Sequence, residues 1–234
     1  MQAMSKRLIF TLAIIVLISA SMYYYMTHKR SSARALQTFA FLRDPVSRPD
    51  LMIKAGAQCD SAPFIFPTDG MIGFIWDDSF RPGHRHQGID IFSGTEIGVT
   101  PVIAAFPGYL TRQSDWKSTL IIRVPEDPLQ AERQIWVYYT HMADPQGNSF
   151  ISSDFPAGTS ELYVKAGTFL GYQGDYSGDP NNPVGVHLHI SIVKDDGFGK
   201  FTNELKIENT YDPSPYFGLP LNANENTDTI PVCK

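Results

Sequence analysis

The chain has 234 residues, of which 43% are apolar and 18% are charged. An average domain carries roughly 25% charged residues, so this composition argues against a disordered chain. The 24 acidic and 19 basic residues give a net charge of −5, which excludes a broad basic surface for nucleic acid. The 18 glycines and 17 prolines predict many turns between short apolar segments, a pattern typical of a β-rich protein.

Residues 1–30 are predicted to be a membrane-targeting segment. Residues 8–26 carry no charge, and basic residues stand on both sides of them, at positions 6–7 and 29–30. Nineteen such residues are close to the length that crosses a bilayer as a helix, which predicts a signal anchor. A cleaved signal peptide is the alternative, since Ser19, Ala20 and Ser21 are small residues that a signal peptidase accepts. Either interpretation places the rest of the chain outside the cytoplasm.

The two cysteines, Cys59 and Cys233, bracket most of the remaining chain. Outside the cytoplasm they lie in a compartment that permits disulfides. The sequence leaves two possibilities open, a bridge that ties the C-terminus to the start of the domain or two free thiols.

The chain after residue 30 is predicted to form one domain with flanking segments. Pro45 and Pro49 interrupt any helix in residues 31–60, which we interpret as a stem. Residues 61–217 are the predicted domain, and residues 218–234 a polar tail. Within the domain, turn-forming residues separate short apolar runs, which predicts an antiparallel all-β fold. These runs are residues 64–66, 71–76, 102–105, 119–124, 135–139, 168–172 and 188–193.

Two short motifs place potential metal ligands at even spacing. His86 and Asp90 are four residues apart, which puts both on the same face of a strand, with Ile89 on the opposite face. In the second motif His187 and His189 are two apart and share a strand face in the same way. The two motifs together offer four nitrogen or oxygen ligands.

Zinc is the metal that suits this set, because it binds imidazole nitrogen and carboxylate oxygen without needing a thiolate. A catalytic zinc site uses three protein ligands and leaves its fourth position to water. One histidine of the set would therefore remain for acid–base chemistry. A further histidine, His141, follows the strand-like run at residues 136–140.

The order and spacing of these motifs resemble the lysostaphin/LytM-type zinc metallopeptidases, which cut peptide bonds in bacterial cell walls. The resemblance covers roughly residues 64–193. Its motifs are FP at 66–67, GMI at 70–72, HQGIDI at 86–91, TPVIAA at 100–105, Gly108, YTHM at 139–142, VKAG at 164–167, Gly171 and HLHI at 187–190.

The resemblance implies a role for each of five residues. His86, Asp90 and His189 would bind zinc, and His141 and His187 would be catalytic. It also implies a compact antiparallel β domain, the duplicated hybrid motif of that family, with the site in a groove on the sheet. The implied function is hydrolysis of peptide bonds in peptidoglycan by a zinc-activated water, with acid–base assistance from the histidines. All five positions carry the expected residue type.

Other polar residues are given structural interpretations. His84 matches no ligand position of the family, and Asp77 and Asp78 are predicted to form a solvated turn after Trp76. The GDYSGDP segment at 174–180 is expected to shape one rim of the groove. The segment at 143–161 departs from the family pattern, and we expect it to narrow the groove or to change the peptide recognised.

Two other functions stay open at this point. One is a non-hydrolytic envelope protein that binds wall peptides or regulates another hydrolase. The other is a zinc peptidase of the same fold that acts on a protein. Four of the 19 basic residues lie in positions 1–30, so the exported part carries 15 basic and 24 acidic residues, a net charge of −9. General attraction to anionic wall polymers is therefore not expected, and contact with the wall would depend on the groove or on the membrane.

Overall fold

The computed structural model describes residues 6–79, 83–226 and 228–233. Ten strands and two α-helices follow one another along these residues, with short 3₁₀ turns at Pro45–Ser47, Pro49–Leu51 and Ile207–Asn209. In chain order the elements are α1 (Lys6–Arg43), β1 (Met71–Phe74), β2 (Ile89–Phe92), β3 (Pro101–Ile103), β4 (Gly108–Thr111), β5 (Leu120–Val124), β6 (Ile135–Thr140), β7 (Leu162–Val164), β8 (Phe169–Tyr172), β9 (Leu188–Lys194), β10 (Thr210–Tyr211) and α2 (Ser214–Phe217).

Eight of the strands form a single sheet. Seven lie in the order β1-β2-β9-β6-β5-β4-β7, and β10 pairs with β9. β3 and β8 form a separate two-stranded sheet. Every pairing between these strands is antiparallel, which confirms the predicted all-β antiparallel domain.

The centre of the large sheet is covered on both faces. On β6, Val137 and Tyr139 are fully buried in the main apolar core, while Trp136 and Tyr138 belong to a second cluster on the other face. Val193 of β9 joins this second cluster. Because β6 is buried on both sides, nearly every residue of this strand is apolar or aromatic, as expected for a central strand.

The strand predictions were right for most of the long runs and wrong for several shorter elements. Residues 64–66 are buried but do not form a strand, and β4, β7 and β10 were not predicted. The prediction that His86 and His187 lie on strands was also wrong. β2 begins at Ile89 and β9 at Leu188, so both histidines precede the strand that carries the other residue of their motif.

Helix α1 continues through the first part of the predicted stem and packs against the domain. It ends at Arg43, just before Pro45, which cannot continue a helix. Arg34, Thr38 and Phe41 are buried, and their spacing of four and three residues puts them on one helix face. Phe41 joins Met71, Phe92 and two other buried side chains in a separate apolar cluster.

The predicted membrane segment lies in the N-terminal half of α1. The side chains of residues 14–24 are exposed, and those of residues 6–13 and 25–32 lie outside the described part of the chain. Within the described part, the structure contains no helix whose length and apolar character would allow it to cross a membrane.

The C-terminal segment packs on the domain instead of extending as the expected tail. Leu219, Leu221 and Ile230 are buried, and the backbone of Asn222 pairs with that of Trp76 in an isolated β-bridge. A disulfide joins Cys59 to Cys233, with a Cα–Cα distance of 5.2 Å. Of the two possibilities left open by the sequence, the structure therefore shows the bridge.

Removal of this bridge should destabilise the domain. The bridge closes a loop across 174 residues of sequence, and the chain-entropy model assigns such a loop about 5 kcal/mol. We expect the Cys59→Ala/Cys233→Ala double variant to lose up to this amount of unfolding free energy, measured by denaturant titration. Reduced wild-type protein should show the same loss. An unchanged unfolding free energy in both samples would contradict the prediction.

Candidate metal centre and active site

Strand pairing brings the two sequence motifs together. Asp90 on β2 stands directly opposite His189 on β9, and His189 stands opposite Thr140, the last residue of β6. His141 follows immediately, with a φ of +71° that turns the chain away from the strand. A non-glycine residue in this left-handed region is uncommon and often marks a functional site.

Gly88 permits the close approach of β2 and β9. A Cβ atom at this position would overlap the backbone carbonyl oxygen of Ile190. The glycine between His86 and Asp90 is therefore required by the distance between the two strands. This close approach is what places Asp90 and His189 next to each other.

His86 is held by contacts with the turn at residues 75–78, which precedes it in the sequence. Its backbone N–H donates to the carbonyl oxygen of Asp78 at 2.9 Å, and its carbonyl oxygen accepts from the N–H of Asp77 at 2.8 Å. Its ring nitrogen Nδ1 lies 3.0 Å from the carbonyl oxygen of Ile75. Three contacts with one turn thus position a residue that lies outside the sheet.

His86, Asp90 and His189 form a compact donor group. His86 Nε2 lies 3.1 Å from Asp90 Oδ1 and 3.0 Å from His189 Nδ1, and His189 Nδ1 lies 2.8 Å from Asp90 Oδ1. Ligand atoms around a tetrahedral zinc ion with bonds of about 2.0–2.1 Å are about 3.3 Å apart. The donor types and their spacing therefore fit a zinc ion.

The hydrogen bonds of the other ring nitrogens decide the tautomers of three histidines. His86 Nδ1 faces the Ile75 carbonyl, His187 Nδ1 lies 2.9 Å from the Gly185 carbonyl, and His141 Nδ1 lies 2.7 Å from the Tyr176 carbonyl. A carbonyl oxygen only accepts, so each Nδ1 must carry the proton. In each neutral ring, Nε2 then carries the lone pair. A backbone carbonyl bound in this way is the usual outer partner of a metal-binding histidine.

His187 and His141 lie beside the donor group. Their ring centroids are 4.6 Å apart, and the centroid of His141 is 6.1 Å from that of His189. His187 Nε2 lies 3.6 Å from Asp90 Oδ1, and its ring stacks on Phe92 with a centroid distance of 4.9 Å. The structure therefore brings all five predicted site residues into one place.

Burial and mutual charge shift the pKa values in this cluster in different directions. Burial acts to raise the pKa of Asp90, but the neighbouring His86 and His187 outweigh it and hold this pKa well below its usual range. For His86, the nearby Asp90 carboxylate outweighs burial and raises the pKa. Desolvation by burial, followed by the electrostatic influence of the neighbouring His187 and His189, lowers the pKa of His141 to about 3. His141 is therefore a neutral ring near pH 7.

The cluster opens into a cavity of about 740 Å³. Tyr176, Val184, Glu204 and Leu205 are among the residues that line it, and the described lining contains no lysine or arginine. Arg81 lies outside the described residues. Further lining is provided by polar side chains of β6 and of the residues just before β5, namely Ser118, Thr119, Tyr138 and Thr140.

The lining of the cavity confirms one prediction about the surrounding segments and contradicts another. Residues of the GDYSGDP segment line it, as expected, whereas no residue of the 143–161 segment does. Arg112 ties that segment down through the Phe155 carbonyl and the Ser149 hydroxyl. His84 lines the cavity but does not belong to the donor group. The prediction of a solvated turn was wrong for Asp78, which is 3% exposed.

Sequence patterns did not reveal Tyr138 and Glu204 as cavity residues. Burial, together with the nearby Glu204 carboxylate, raises the pKa of Tyr138 to about 12. Alternation along β6 would have placed Tyr138 and Thr140 on one strand face, so this pair had a signal. Glu204 lies in a loop after β9 and had none.

The assigned tautomers can be tested by nitrogen NMR. We expect His141 and His187 in the metal-free protein to carry the proton on Nδ1, because each Nδ1 faces a backbone carbonyl. A histidine in an unfolded chain has no such fixed partner. Because its pKa is depressed, His141 should stay neutral as the pH falls from about 8 to about 5. The same residues in urea serve as the control. An Nε2–H form in the folded protein would contradict the assignment.

No protein-family model matches this chain, and a comparison with curated proteins gives no match. Among solved structures, it is similar to a protein named lytM from Ruminococcus gnavus, with 24% identity, a TM-score of 0.35, and coverage of 55% of this chain and 44% of the other. It is similar to a mutant M23 catalytic domain of EnpA from Enterococcus faecalis, with 22% identity, a TM-score of 0.38, and coverage of 64% and 96%.

A third similar structure is the antimicrobial peptidase lysostaphin from Staphylococcus simulans, with 17% identity and a TM-score of 0.39. The match covers 71% of this chain and 55% of that chain. The matched region thus spans about half the length of the lytM and lysostaphin structures. The chain resembles the lysostaphin/LytM type in its sequence motifs, and solved structures of that type are among those to which it is similar.

Proposed function

We propose that this chain is a zinc-dependent endopeptidase that hydrolyses peptide bonds in bacterial peptidoglycan. The observation that supports it most is the meeting of His86, Asp90 and His189 with two further histidines in the lining of one cavity. Metal-ligating side chains beside imidazoles that can transfer protons form a combination that can hydrolyse a peptide bond. The motifs shared with the lysostaphin/LytM type support peptidoglycan as the substrate.

His86, Asp90 and His189 would hold the zinc ion. When bound, the ion supplies Lewis acidity and lowers the pKa of a coordinated water to about 7. Asp90 is the single carboxylate of this donor set, so it supplies the negative charge that offsets the ion. The Ile75 carbonyl fixes the ring of His86 so that Nε2 faces the other two donors.

His187 and His141 are equipped for proton transfer. Each presents an Nε2 lone pair, because its Nδ1 proton is bound by a backbone carbonyl. Asp90 Oδ1, 3.6 Å from His187 Nε2, would stabilise positive charge on that ring, which favours His187 as the acceptor of the water proton. The resulting imidazolium can pass this proton to the departing amine.

Loss of a metal ligand and loss of a proton-transfer residue should have different consequences. We expect His189→Ala to lose zinc and activity together. His141→Ala should keep stoichiometric zinc but lose activity by about 10²–10⁴-fold, the usual contribution of acid–base catalysis. The measurements are zinc content and the release of new amino groups from purified cell walls, with and without a chelator.

The exposed Lys165→Ala variant is a suitable control and should behave as wild type. Zinc retained in His189→Ala would rule out the proposed ligand set. Stoichiometric zinc in the wild type without release of amino groups would instead favour a protein substrate or a non-hydrolytic role.

We also propose that the domain acts outside the cytoplasm and is held at the membrane by its N-terminal segment. The Cys59–Cys233 bridge supports an oxidising compartment. The uncharged run at residues 8–26 and its basic flanks support contact with a membrane. Along this run, the apolar side chains of residues 14–18 are exposed in the structure.

Deletion of residues 1–30 should release the protein from the membrane fraction. We expect the full chain to sediment with membranes and to resist a high-salt wash, because apolar burial is insensitive to charge screening. The truncated chain, carrying an unrelated cleavable secretion signal, should appear in the soluble extracytoplasmic fraction. A full-length chain in the soluble fraction would exclude the membrane tether.

A further inference from the structure

We propose that Arg34, on helix α1, is a positioning residue for the metal ligand His86. It would act through the turn at residues 75–78, and the inference rests on the proposed zinc site. Nothing in the sequence motifs connects this helix to the site, since Arg34 lies 52 positions before His86. The connection is visible only in the buried contacts between the helix and the turn.

Arg34 and its ionic partner, Asp78, are both buried. It is 1% exposed, and Asp78 is 3% exposed. Its Nη2 and Nε donate to Asp78 Oδ2 at 2.9 and 3.2 Å, and its Nη1 donates to the Asn226 carbonyl oxygen at 2.8 Å. The guanidinium thus joins α1, the turn and the C-terminal segment. A point charge such as lysine cannot span all of these acceptors.

The same turn makes the contacts that fix His86. The Asp78 backbone carbonyl accepts from the His86 N–H at 2.9 Å, and the Asp78 N–H donates to the Ile75 carbonyl at 3.1 Å. That Ile75 oxygen is also the partner of His86 Nδ1, at 3.0 Å. Only Asp78 therefore separates the Arg34 guanidinium from the atoms that orient the histidine.

Helix α1 is held against the domain by two further buried residues. Thr38 Oγ1 lies 3.4 Å from the Gly73 carbonyl oxygen of β1, and Phe41 is fully buried one turn further on. Among the residues of α1 whose side chains are described, Arg34 is the buried one with hydrogen bonds to the turn, and Thr38 contacts the strand. Without its charge, the buried Asp78 carboxylate would have to reach water, and the turn would move with it.

The test compares zinc affinity in Arg34→Met with that in a matched control. Arg133→Met breaks another arginine pair with a buried carboxylate, in which Arg133 Nε donates to Asp127 Oδ2 at 2.6 Å. The Asp127 side chain is 0% exposed and the Arg133 side chain 24%. Affinity is measured by competition with a chromophoric chelator, on protein shown to be folded by circular dichroism. Loss of an outer partner of a metal ligand typically costs 10–100-fold in affinity.

We expect at least a tenfold weaker zinc affinity in Arg34→Met and less than a twofold change in Arg133→Met. Wild-type affinity in folded Arg34→Met would overturn the inference, and so would an equal loss in both variants, since that would reflect general destabilisation. If Arg34→Met does not fold, Arg34→Lys replaces it, and an affinity loss of at least threefold is expected. Wild-type affinity in Arg34→Lys would then overturn the inference.

These outcomes separate this inference from the proposed function. A wild-type protein that binds no zinc overturns both. A wild-type protein that binds zinc at His86, Asp90 and His189, alongside an Arg34 variant with the same affinity, overturns only the role of Arg34.

Discussion

The antiparallel pairing of β2 with β9 is the contact on which the rest of the site depends. Its register sets Asp90 opposite His189, and the next pairing sets His189 beside the end of β6, where His141 follows. A shift of one residue in this register would move one of the two donors to the opposite face of the sheet and separate it from the other. Ile89 and Ile190 already occupy that face, buried in the core. Gly88 maintains the pairing, since no larger residue fits against the Ile190 carbonyl.

The backbone, more than the side chains, controls the chemistry of the histidines. The Ile75 carbonyl comes from the turn after β1, and the Tyr176 and Gly185 carbonyls come from the loop between β8 and β9. Each binds the Nδ1 proton of one histidine. Each ring is therefore oriented and its tautomer set without a dedicated acidic partner. A single carboxylate, Asp90, remains among the imidazoles and is available to the proposed metal. This arrangement concentrates the negative charge of the site on a direct ligand.

The C-terminal part of helix α1 and the C-terminal segment both contact the turn that holds His86. The turn at residues 75–78 receives Arg34 from helix α1, and it receives the C-terminal segment through the bridge of Trp76 with Asn222. Asn224 adds a hydrogen bond to the Asp77 carboxylate. The disulfide ties the same C-terminal segment to Cys59, near the start of the domain. The predicted stem and tail thus both contact the turn that positions His86.

Local spacing predicted a set of potential donors and the antiparallel β class. Even separation predicted two histidine motifs with one carboxylate as potential ligands, and the resemblance to the lysostaphin/LytM type selected three of them. Alternation and turns predicted strands such as β5, β6 and β9, because these signals depend only on neighbouring residues. Long-range contacts were not accessible in this way. His86 was assigned to a strand that begins three residues later, at Ile89, and Asp78 was assigned to solvent. The partner of Asp78 is Arg34, which lies 44 positions away in the sequence. The burial of Asp78 could therefore be seen only in the tertiary structure, which brings the two charges together.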